Sequence, residues 1–230
     1  MESKLFTPVT FGPLTLRNRT IRSAAFESMC PGNAPSDMLL DYHRSVAAGG
    51  IGMTTVAYAA VTQSGLSFDR QLWMRPEIIP GLRRLTDAIH AEGAAAGIQL
   101  GHCGNMSHKS ICGCMPVGAS SGFNLYSPTF VRGLRADELP EMARAYGRSV
   151  NLAREAGFDS VEIHAGHGYL ISQFLSPSTN HRKDEFGGSL QNRMRFMDMV
   201  MEEVMKAAGS DMAAVSYTHL RAHETRHDLV

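Results

Sequence analysis

Residues 161–196 read VEIHAGHGYLISQFLSPSTNHRKDEFGGSLQNRMRF, and this stretch decides both the fold and the chemistry. The apolar run at 161–163 predicts a strand, and His164, His167 and Tyr169 follow its end. Two imidazoles and a phenol just past a strand suit a polarised substrate oxygen and a proton transfer. A purely structural histidine pair is the alternative, and the long polar string that continues to Phe196 weighs against it.

Helical patterns alternate with apolar strands around this stretch. The predicted helices are residues 36–48, 78–92, 138–156 and 190–208, and the strands that follow them are residues 52–57, 94–100, 160–164 and 211–215. Each helical pattern stops at a glycine, which adopts the left-handed conformation beyond a helix end at low cost. Regular alternation of strand and helix implies parallel strands joined by crossover helices.

Two α/β architectures fit this alternation, an open doubly wound sheet and a (β/α)8 barrel. No G-x-G-x-x-G lies between a strand and a helix, which disfavours a dinucleotide-binding sheet. Polar or small residues follow the strand ends at Ser23, Tyr58, Gln99 and His164. A barrel gathers such loops onto one face, where its active sites lie, so we predict a (β/α)8 barrel.

The regions outside the repeating units carry further expectations. Residues 9–16 alternate around Gly12-Pro13 and predict a small hairpin before the barrel. A strand over residues 20–24 ends in small residues, which would admit a flat ligand, although close packing explains them equally well. Two long insertions, residues 61–76 and 103–135, are expected to shape a substrate pocket or a lid.

The composition excludes several classes of protein. The chain has 230 residues, 43% of them hydrophobic and 19% charged, which predicts one large domain with a substantial core. Lys and Arg total 22 against 22 Asp and Glu, and this balance argues against a nucleic-acid partner. No signal peptide or membrane-spanning run is recognisable, so we expect a cytoplasmic protein without a membrane partner.

The cysteines are expected to be free thiols. They are Cys30, Cys103, Cys112 and Cys114. Without a secretory signal, disulfides are disfavoured. Three of them lie near His102 and His108, which raises a metal site as an alternative, but C-x-C with a remote third Cys is a weak zinc pattern. We therefore predict no metal.

The motifs resemble the old yellow enzyme family of flavin-dependent ene-reductases, whose sequences carry E-I-H, then H-G-Y-L, F-L-S-P and N-R-x-R-F. The resemblance runs from about Leu5 to Val215. It implies FMN as cofactor, NADH or NADPH as reductant, and activated C=C bonds of α,β-unsaturated carbonyl compounds as substrates. It also implies that His164 and His167 hold the carbonyl oxygen and that Tyr169 supplies a proton.

The resemblance implies contacts to the flavin as well. Gln99, within G-I-Q-L-G-H, matches a Gln that hydrogen-bonds the polar edge of the flavin. Ser23, Ala24 and Ala25 match small residues beneath the ring, and Tyr58 falls where the family uses a backbone group. Considered without the resemblance, Gln99 is better interpreted as a buried Gln that bonds the backbone.

Phe26 departs from the family pattern. It stands where the family often has Thr or Cys near the flavin C4 carbonyl, and a phenyl ring cannot donate that hydrogen bond. Phe26 is therefore expected at the substrate site, with an altered flavin potential. A subgroup of the family has an aromatic residue followed by Glu here, and Phe26-Glu27 is similar to that pair.

The sequence changes character after Val215. Residues 216–230, SYTHLRAHETRHDLV, resemble a translated sequencing adapter. We predict that residues 1–215 form a barrel truncated to about five of its eight strands and that residues 216–230 are a non-native tail. His223 to His227 fits the zinc motif H-E-x-x-H, with His219 as a third histidine, but too little chain follows for a catalytic zinc cleft.

Two rival hypotheses stay open at this point. One is a metal-dependent barrel hydrolase that uses His102, His164 and His167. The other is a fragment without function, because an unclosed parallel sheet leaves strand edges unpaired. The predicted partner is a small enone-type molecule. A homo-oligomer is one candidate state of the parent protein.

Overall fold

A parallel five-stranded sheet organises the molecule. The computed structural model describes residues 3–125 and 128–217. The described residues form ten strands: β1 Val9–Phe11, β2 Leu14–Leu16, β3 Ile21–Arg22, β4 Met53–Ala60, β5 Ala95–Gly101, β6 Val117–Gly118, β7 Gly122–Asn124, β8 Thr129–Gly133, β9 Ser160–His164 and β10 Ala213–Tyr217. The five-stranded sheet has the order β10-β9-β5-β4-β3, and every adjacent pair is parallel.

Helices connect successive strands of this sheet. They are α1 Asp37–Ala48, α2 Ile79–Ala91, α3 Lys109–Cys112, α4 Leu139–Glu155, α5 Leu170–Leu175 and α6 Leu190–Ala208. The four long helices lie within one residue of their predicted bounds at each end. Parallel strands joined by crossover helices are the arrangement of a (β/α)8 barrel, of which this chain carries five strands. The predicted fold class is confirmed.

The central strands are buried along their whole length. All eight residues of β4 are buried, as are six of the seven residues of β5. Continuous burial is typical of parallel strands that are covered on both faces. The helices cover one face through apolar residues such as Leu39, Leu82, Val150 and Val204, each 0% exposed. The apolar periodicity in the sequence therefore marks the true core.

Helix ends follow their local chemistry. The Ser36 hydroxyl accepts a hydrogen bond from the Leu39 N–H at 3.2 Å and caps α1, and Ser189 caps α6 through the Asn192 N–H, also at 3.2 Å. Beyond α4, Gly157 adopts a φ of 88°, the left-handed region that glycine enters at low cost. This glycine turns the chain directly into β9.

Several predicted boundaries are wrong. The hairpin over residues 9–16 is present, but the strand predicted at 20–24 pairs only at Ile21 and Arg22. The insertion 103–135 is not a plain loop, since it holds α3 and the small strands β6, β7 and β8. These strands have two to five residues and are partly exposed, so they leave little hydrophobic periodicity to recognise.

The last strand runs further than predicted. β10 continues through Tyr217, two residues past Val215, and Tyr217 lies opposite His164 of β9.

Residues 218–230, with the H-E-x-x-H motif and its three histidines, lie outside the described residues. In the part of the chain that is described, no helix has the length and apolarity needed to cross a membrane. All four cysteines are free.

Candidate active site

A cavity of about 670 Å³ opens at the carboxyl ends of the sheet strands. It is lined by Ser23, Ala24, Ala25, Phe26, Tyr58, Ser67, Phe68, Gln71, Gln99, Glu162, His164, His167, Tyr169 and Tyr217. All nine site residues predicted from the sequence are in this set. The structure thus brings them together in space, while the role of each stays a proposal.

The histidine pair is built by the turn that follows β9. His164 ends the strand, and His167 adopts a φ of 56°, a left-handed conformation that is uncommon for residues other than glycine. This conformation sets the His167 ring at 85° to the His164 ring, with Nδ1 of His167 3.1 Å from Nε2 of His164. Backbone geometry therefore fixes the relation of the two imidazoles.

Both tautomer and charge of His164 follow from its surroundings. The Gly166 N–H donates to Nδ1 of His164 at 3.4 Å, so the ring proton is assigned to Nε2. Burial, together with a smaller contribution from the neighbouring His167, lowers the pKa of His164 to about 4. At neutral pH, His164 is thus an uncharged N–H donor at the cavity wall.

Tyr169 stands at the start of α5 with its phenol in the cavity. Its N–H donates to the Gly166 carbonyl at 3.1 Å, which closes the turn from β9 into the helix. Its ring lies 4.8 Å from that of His164 and 5.3 Å from that of Tyr58, measured between centroids. Burial raises the pKa of Tyr169, so the phenol holds its proton at neutral pH.

Tyr58 is a structural side chain. Its hydroxyl donates to the Gly65 carbonyl at 2.5 Å, and its backbone carbonyl accepts from Gln71 Nε2 at 3.1 Å. The ring fills the space over Gly101, where an added Cβ would lie 2.3 Å from Tyr58 Cε2. Burial raises the pKa of Tyr58 well above its usual value, so this phenol is neutral. The predicted contact of Tyr58 with the flavin, through its backbone rather than its side chain, stays a prediction.

Gln99 and Glu162 face each other across β5 and β9. They are register partners, and Gln99 Nε2 donates to Glu162 Oε1 at 2.5 Å. Burial raises the pKa of Glu162, and the hydrogen bond from Gln99 opposes that rise. The second N–H and the carbonyl oxygen of Gln99 have no partner among residues 3–125 and 128–217, so a ligand could bind them.

Buried charges support the segment of small residues, Ser23–Ala25, that follows β3. Arg22 donates from Nη1 to Glu27 Oε1 at 2.7 Å and to the Thr55 carbonyl at 2.6 Å, and from Nη2 to the Ala25 carbonyl at 3.1 Å. His43, 0% exposed, lies with Nε2 3.3 Å from Glu27 Oε1. Hydrogen bonds from side chains thus hold this segment, which has no strand pairing of its own.

The insertion 61–76 contributes one wall of the cavity, as the sequence predicts for this insertion. The Phe68 ring stacks on the Phe26 ring at 4.9 Å between centroids and 28° between planes. Ser67 and Gln71 lie in the same loop and line the cavity. No described residue of the insertion 103–135 lines it, and the expectation that this insertion shapes a pocket or a lid stays a prediction.

Sequence reasoning missed five lining residues: Ser67, Phe68, Gln71, Glu162 and Tyr217. For Glu162, the alternation within β9 was a usable signal, because Gln99 and Glu162 occupy the same position on adjacent strands. Tyr217 was assigned to the tail, whereas its ring lies 5.4 Å from that of His167.

His102 does not join the other histidines. Its Nε2 bonds the Ser64 hydroxyl at 3.0 Å, and its Nδ1 accepts from the Gly104 N–H at 2.9 Å. Burial lowers the pKa of His102 to about 3. Both ring nitrogens are therefore occupied by the protein, and the described ranges hold no group of three metal-ligating side chains. The hydrolase alternative, which needs His102 as a ligand, is not favoured.

Comparison with known proteins decides the family. Residues 4–226 match the family model described as "NADH:flavin oxidoreductase / NADH oxidase family". The chain belongs to this family. Its members use FMN with NAD(P)H as reductant, and the resemblance to old yellow enzymes is confirmed. The match extends past Val215, and the predicted boundary of the tail stays a prediction.

Individual relatives support this family assignment. A 4,4'-dithiodibutanoate disulfide reductase of Rhodococcus erythropolis is 42% identical over 212 residues, and an NADPH dehydrogenase of Bacillus subtilis is 37% identical over 209 residues. These alignments include 92% and 89% of this chain but only 53% and 60% of the relatives. The chain thus spans little more than half the length of these relatives.

Solved structures agree with the fold. An old yellow enzyme homologue from Zymomonas mobilis superposes with a TM-score of 0.86 at 29% identity, covering 93% of this chain and 63% of that one. Morphinone reductase in complex with tetrahydroNAD gives the same TM-score at 28% identity, with 94% and 64% coverage.

The family's FMN fits this cavity at its ring end. The small residues 23–25 leave room for a flat ring, and the Gln99 amide offers one donor and one acceptor to a polar ring edge. The phosphate end has no such match. None of the described residues lining the cavity is Lys or Arg, although a dianionic phosphate requires cations or several N–H donors.

Proposed function

We propose that the whole protein is an FMN-dependent oxidoreductase that reduces activated C=C bonds of α,β-unsaturated carbonyl compounds with electrons from NAD(P)H. The observation that carries this proposal is the placement of His164, His167 and Tyr169 on the wall of one cavity. A carbonyl oxygen and the carbon two bonds away can meet an imidazole N–H and a phenol at once in such a site.

The histidines bind the substrate oxygen. His164 is neutral, carries its proton on Nε2 and directs it at His167 Nδ1, so a carbonyl oxygen can accept that N–H in place of the partner ring. A second donor is available from Nε2 of His167. Preorganised donors of this kind stabilise the negative charge that develops on an enolate oxygen.

Tyr169 gives the proton. Its burial keeps the phenol protonated at neutral pH, and its ring packs against His164, so it lies beside the place where the carbonyl would be held. The proton passes from the phenol oxygen to the α-carbon. FMN, when bound, supplies hydride chemistry, which the protein's own side chains cannot.

Disulfides are a second candidate substrate class, because the relative at 42% identity is named a disulfide reductase. In that reaction NAD(P)H and one proton convert R–S–S–R to two thiols. The same cavity would admit either an enone or a disulfide.

We further propose a cytoplasmic location, since NAD(P)H is an intracellular reductant. We also propose that the whole protein is a homo-oligomer.

The test uses the whole protein loaded with FMN. NADPH oxidation is followed with no acceptor, with 2-cyclohexenone and with 4,4'-dithiodibutanoate, and visible absorbance and zinc content are recorded. We expect a yellow, zinc-free protein that consumes NADPH with cyclohexenone. Turnover with the disulfide alone would favour the second substrate class, and a colourless protein with bound zinc would refute both.

A further inference from the structure

Cys112 and Cys114 form a pair of thiols at the end of α3. Cys112 is the last residue of this helix, and Gly113 follows it with a φ of 72°, the left-handed conformation. The Gly113 N–H donates to the Lys109 carbonyl at 2.9 Å, which ends the helix and turns the chain back on itself. This turn places Cys114 Sγ 3.7 Å from Cys112 Sγ.

The two sulfurs need only a short approach to form a bond. They are in contact at 3.7 Å, whereas a disulfide joins sulfurs about 2.05 Å apart. The Cys112 thiol also donates to the Cys114 carbonyl at 3.2 Å, so its side chain already points towards this neighbour. Because Cys114 is exposed, its side chain can make the approach without displacing buried residues.

The two thiols differ in their access to solvent. Cys114 is exposed, while Cys112 is 1% exposed and belongs to an apolar cluster that also contains Tyr58, Leu66 and Cys103. A dissolved oxidant can therefore reach Cys114 but not Cys112. An accessible thiol beside a second, resolving thiol is the arrangement that converts a mixed disulfide into an internal one.

A metal ion explains the pair less well. Structural zinc sites take four protein ligands, and no group of three metal-ligating side chains exists within residues 3–125 and 128–217. Burial and the hydrogen bond with Cys112 raise the pKa of Cys114 to about 11, so its thiol is protonated at neutral pH. Metals bind the thiolate, and the geometry therefore favours chemistry between the two sulfurs.

We propose that Cys112 and Cys114 form a reversible dithiol–disulfide site that small disulfides oxidise. The Cys114 thiolate attacks one sulfur of R–S–S–R, which releases the first RS⁻ and leaves a mixed disulfide on Cys114. Cys112 Sγ then attacks Cys114 Sγ, and the second RS⁻ leaves as the protein disulfide forms. The protons of the two protein thiols pass through solvent to the two leaving groups. Two protein thiols and R–S–S–R thus become one protein disulfide and two RSH.

This reaction is separate from the proposed turnover at the flavin. It needs neither FMN nor NADPH, and it stops after one disulfide per chain. Its oxidant is the small disulfide itself, which accepts both electrons. The inference therefore does not depend on the proposed function, and failure of one leaves the other intact.

The test uses the whole protein with glutathione disulfide, under nitrogen and without NADPH, at a mildly alkaline pH where more thiolate is present. One tryptic peptide, residues 110–132, carries both cysteines and is analysed by mass spectrometry after alkylation. In the wild type this peptide should lose two hydrogen atoms and resist alkylation until dithiothreitol restores both thiols. An internal disulfide in this peptide supports the proposal.

Single variants separate the two steps. In Cys112→Ser, Cys114 should keep one glutathione, because the resolving thiol is gone. In Cys114→Ser, the buried Cys112 should react with glutathione disulfide at least about tenfold more slowly than Cys114 does in the wild type. The matched control Cys30→Ser removes another buried thiol and should leave the internal disulfide unchanged.

Three wild-type results would overturn the proposal. The first is a 110–132 peptide with both thiols free after exposure to glutathione disulfide. The second is a lasting glutathione adduct on Cys114 without closure. The third is a bond from Cys112 to Cys103, which would join two tryptic peptides. Since all three are read from the wild type, an unstable variant does not prevent a decision.

Discussion

The Nε2 atom of His164 lies 3.1 Å from Nδ1 of His167, so the two imidazoles satisfy each other across the turn after β9. Each ring therefore already has a polar partner within the cavity. Under the proposed function, a substrate oxygen would have to replace the partner ring in this bond. The interaction that orients the rings would then also be the one that substrate binding replaces.

Removing one ring should separate catalysis from flavin binding. In the FMN-loaded whole protein, His164→Ala should lower the rate of enone-dependent flavin reoxidation by about 10²-fold, because it removes a donor to the developing enolate. Bound FMN should be retained, as read from visible absorbance. His181→Ala, an exposed histidine, is the control. Joint loss of flavin and solubility, without a kinetic effect, would contradict this role for His164.

The buried, neutral His164 should make stability depend on pH. Its folded-state pKa is about 4 against an ordinary 6.5, so the unfolded chain binds the extra proton between these values. Stability should therefore fall as the pH drops from 6.5 towards 4. The free energy of unfolding, measured with urea at each pH, should fall by on the order of 3 kcal/mol less in His164→Asn than in the wild type over this range. Parallel curves for variant and wild type would contradict the assignment.

The 230-residue chain should not retain stoichiometric FMN. Its cavity presents neutral groups to the ring, each hydrogen bond contributing about 1 kcal/mol, and no described cation lines it for the phosphate. After incubation with excess FMN and desalting, flavin absorbance is compared with protein concentration. A ratio near one flavin per chain would show that residues 1–230 already contain a sufficient phosphate site.

Gly101 should tolerate no side chain. A Cβ there would meet Tyr58 Cε2 at 2.3 Å, and the Tyr58 hydroxyl is tied to Gly65, so the ring cannot swing aside. Gly101→Ala should cost about 3 kcal/mol or more of unfolding free energy. Gly122→Ala, where a Cβ meets nothing within 4 Å, should change it by about 0.5 kcal/mol at most. Urea unfolding of both variants decides, and equal effects would refute the steric account.

The sequence predicts the sheet and the long helices well because burial leaves a continuous apolar run in the central strands and an apolar periodicity in the helices. The eight buried residues of β4 and the apolar face of α4 are strong, local signals. The strands within residues 117–133 are short and partly exposed, so the same criterion does not detect them. Their pairing depends on contacts between distant residues instead.

The sequence also predicts the part of the site that lies in one local motif. His164, His167 and Tyr169 stand in one motif directly after a strand, so their proximity is fixed by local chain geometry. Ser67 and Phe68 reach the cavity through a loop whose path is set by Gln71 and the Tyr58 carbonyl. No spacing in the sequence encodes such a path.

The buried charges beneath residues 23–25 bear on how the site can be redesigned. Phe26 is 47% exposed and contacts Phe68, whereas Glu27 beside it binds Arg22 and the Ala57 N–H inside the protein. If Phe26 contacts substrate, as the family resemblance implies, substrate range can be varied at position 26 without breaking the contacts of Glu27. Position 27 offers less freedom, since an uncharged replacement would leave Arg22 without its carboxylate partner, and libraries that randomise both positions should contain more destabilised variants than libraries at position 26 alone.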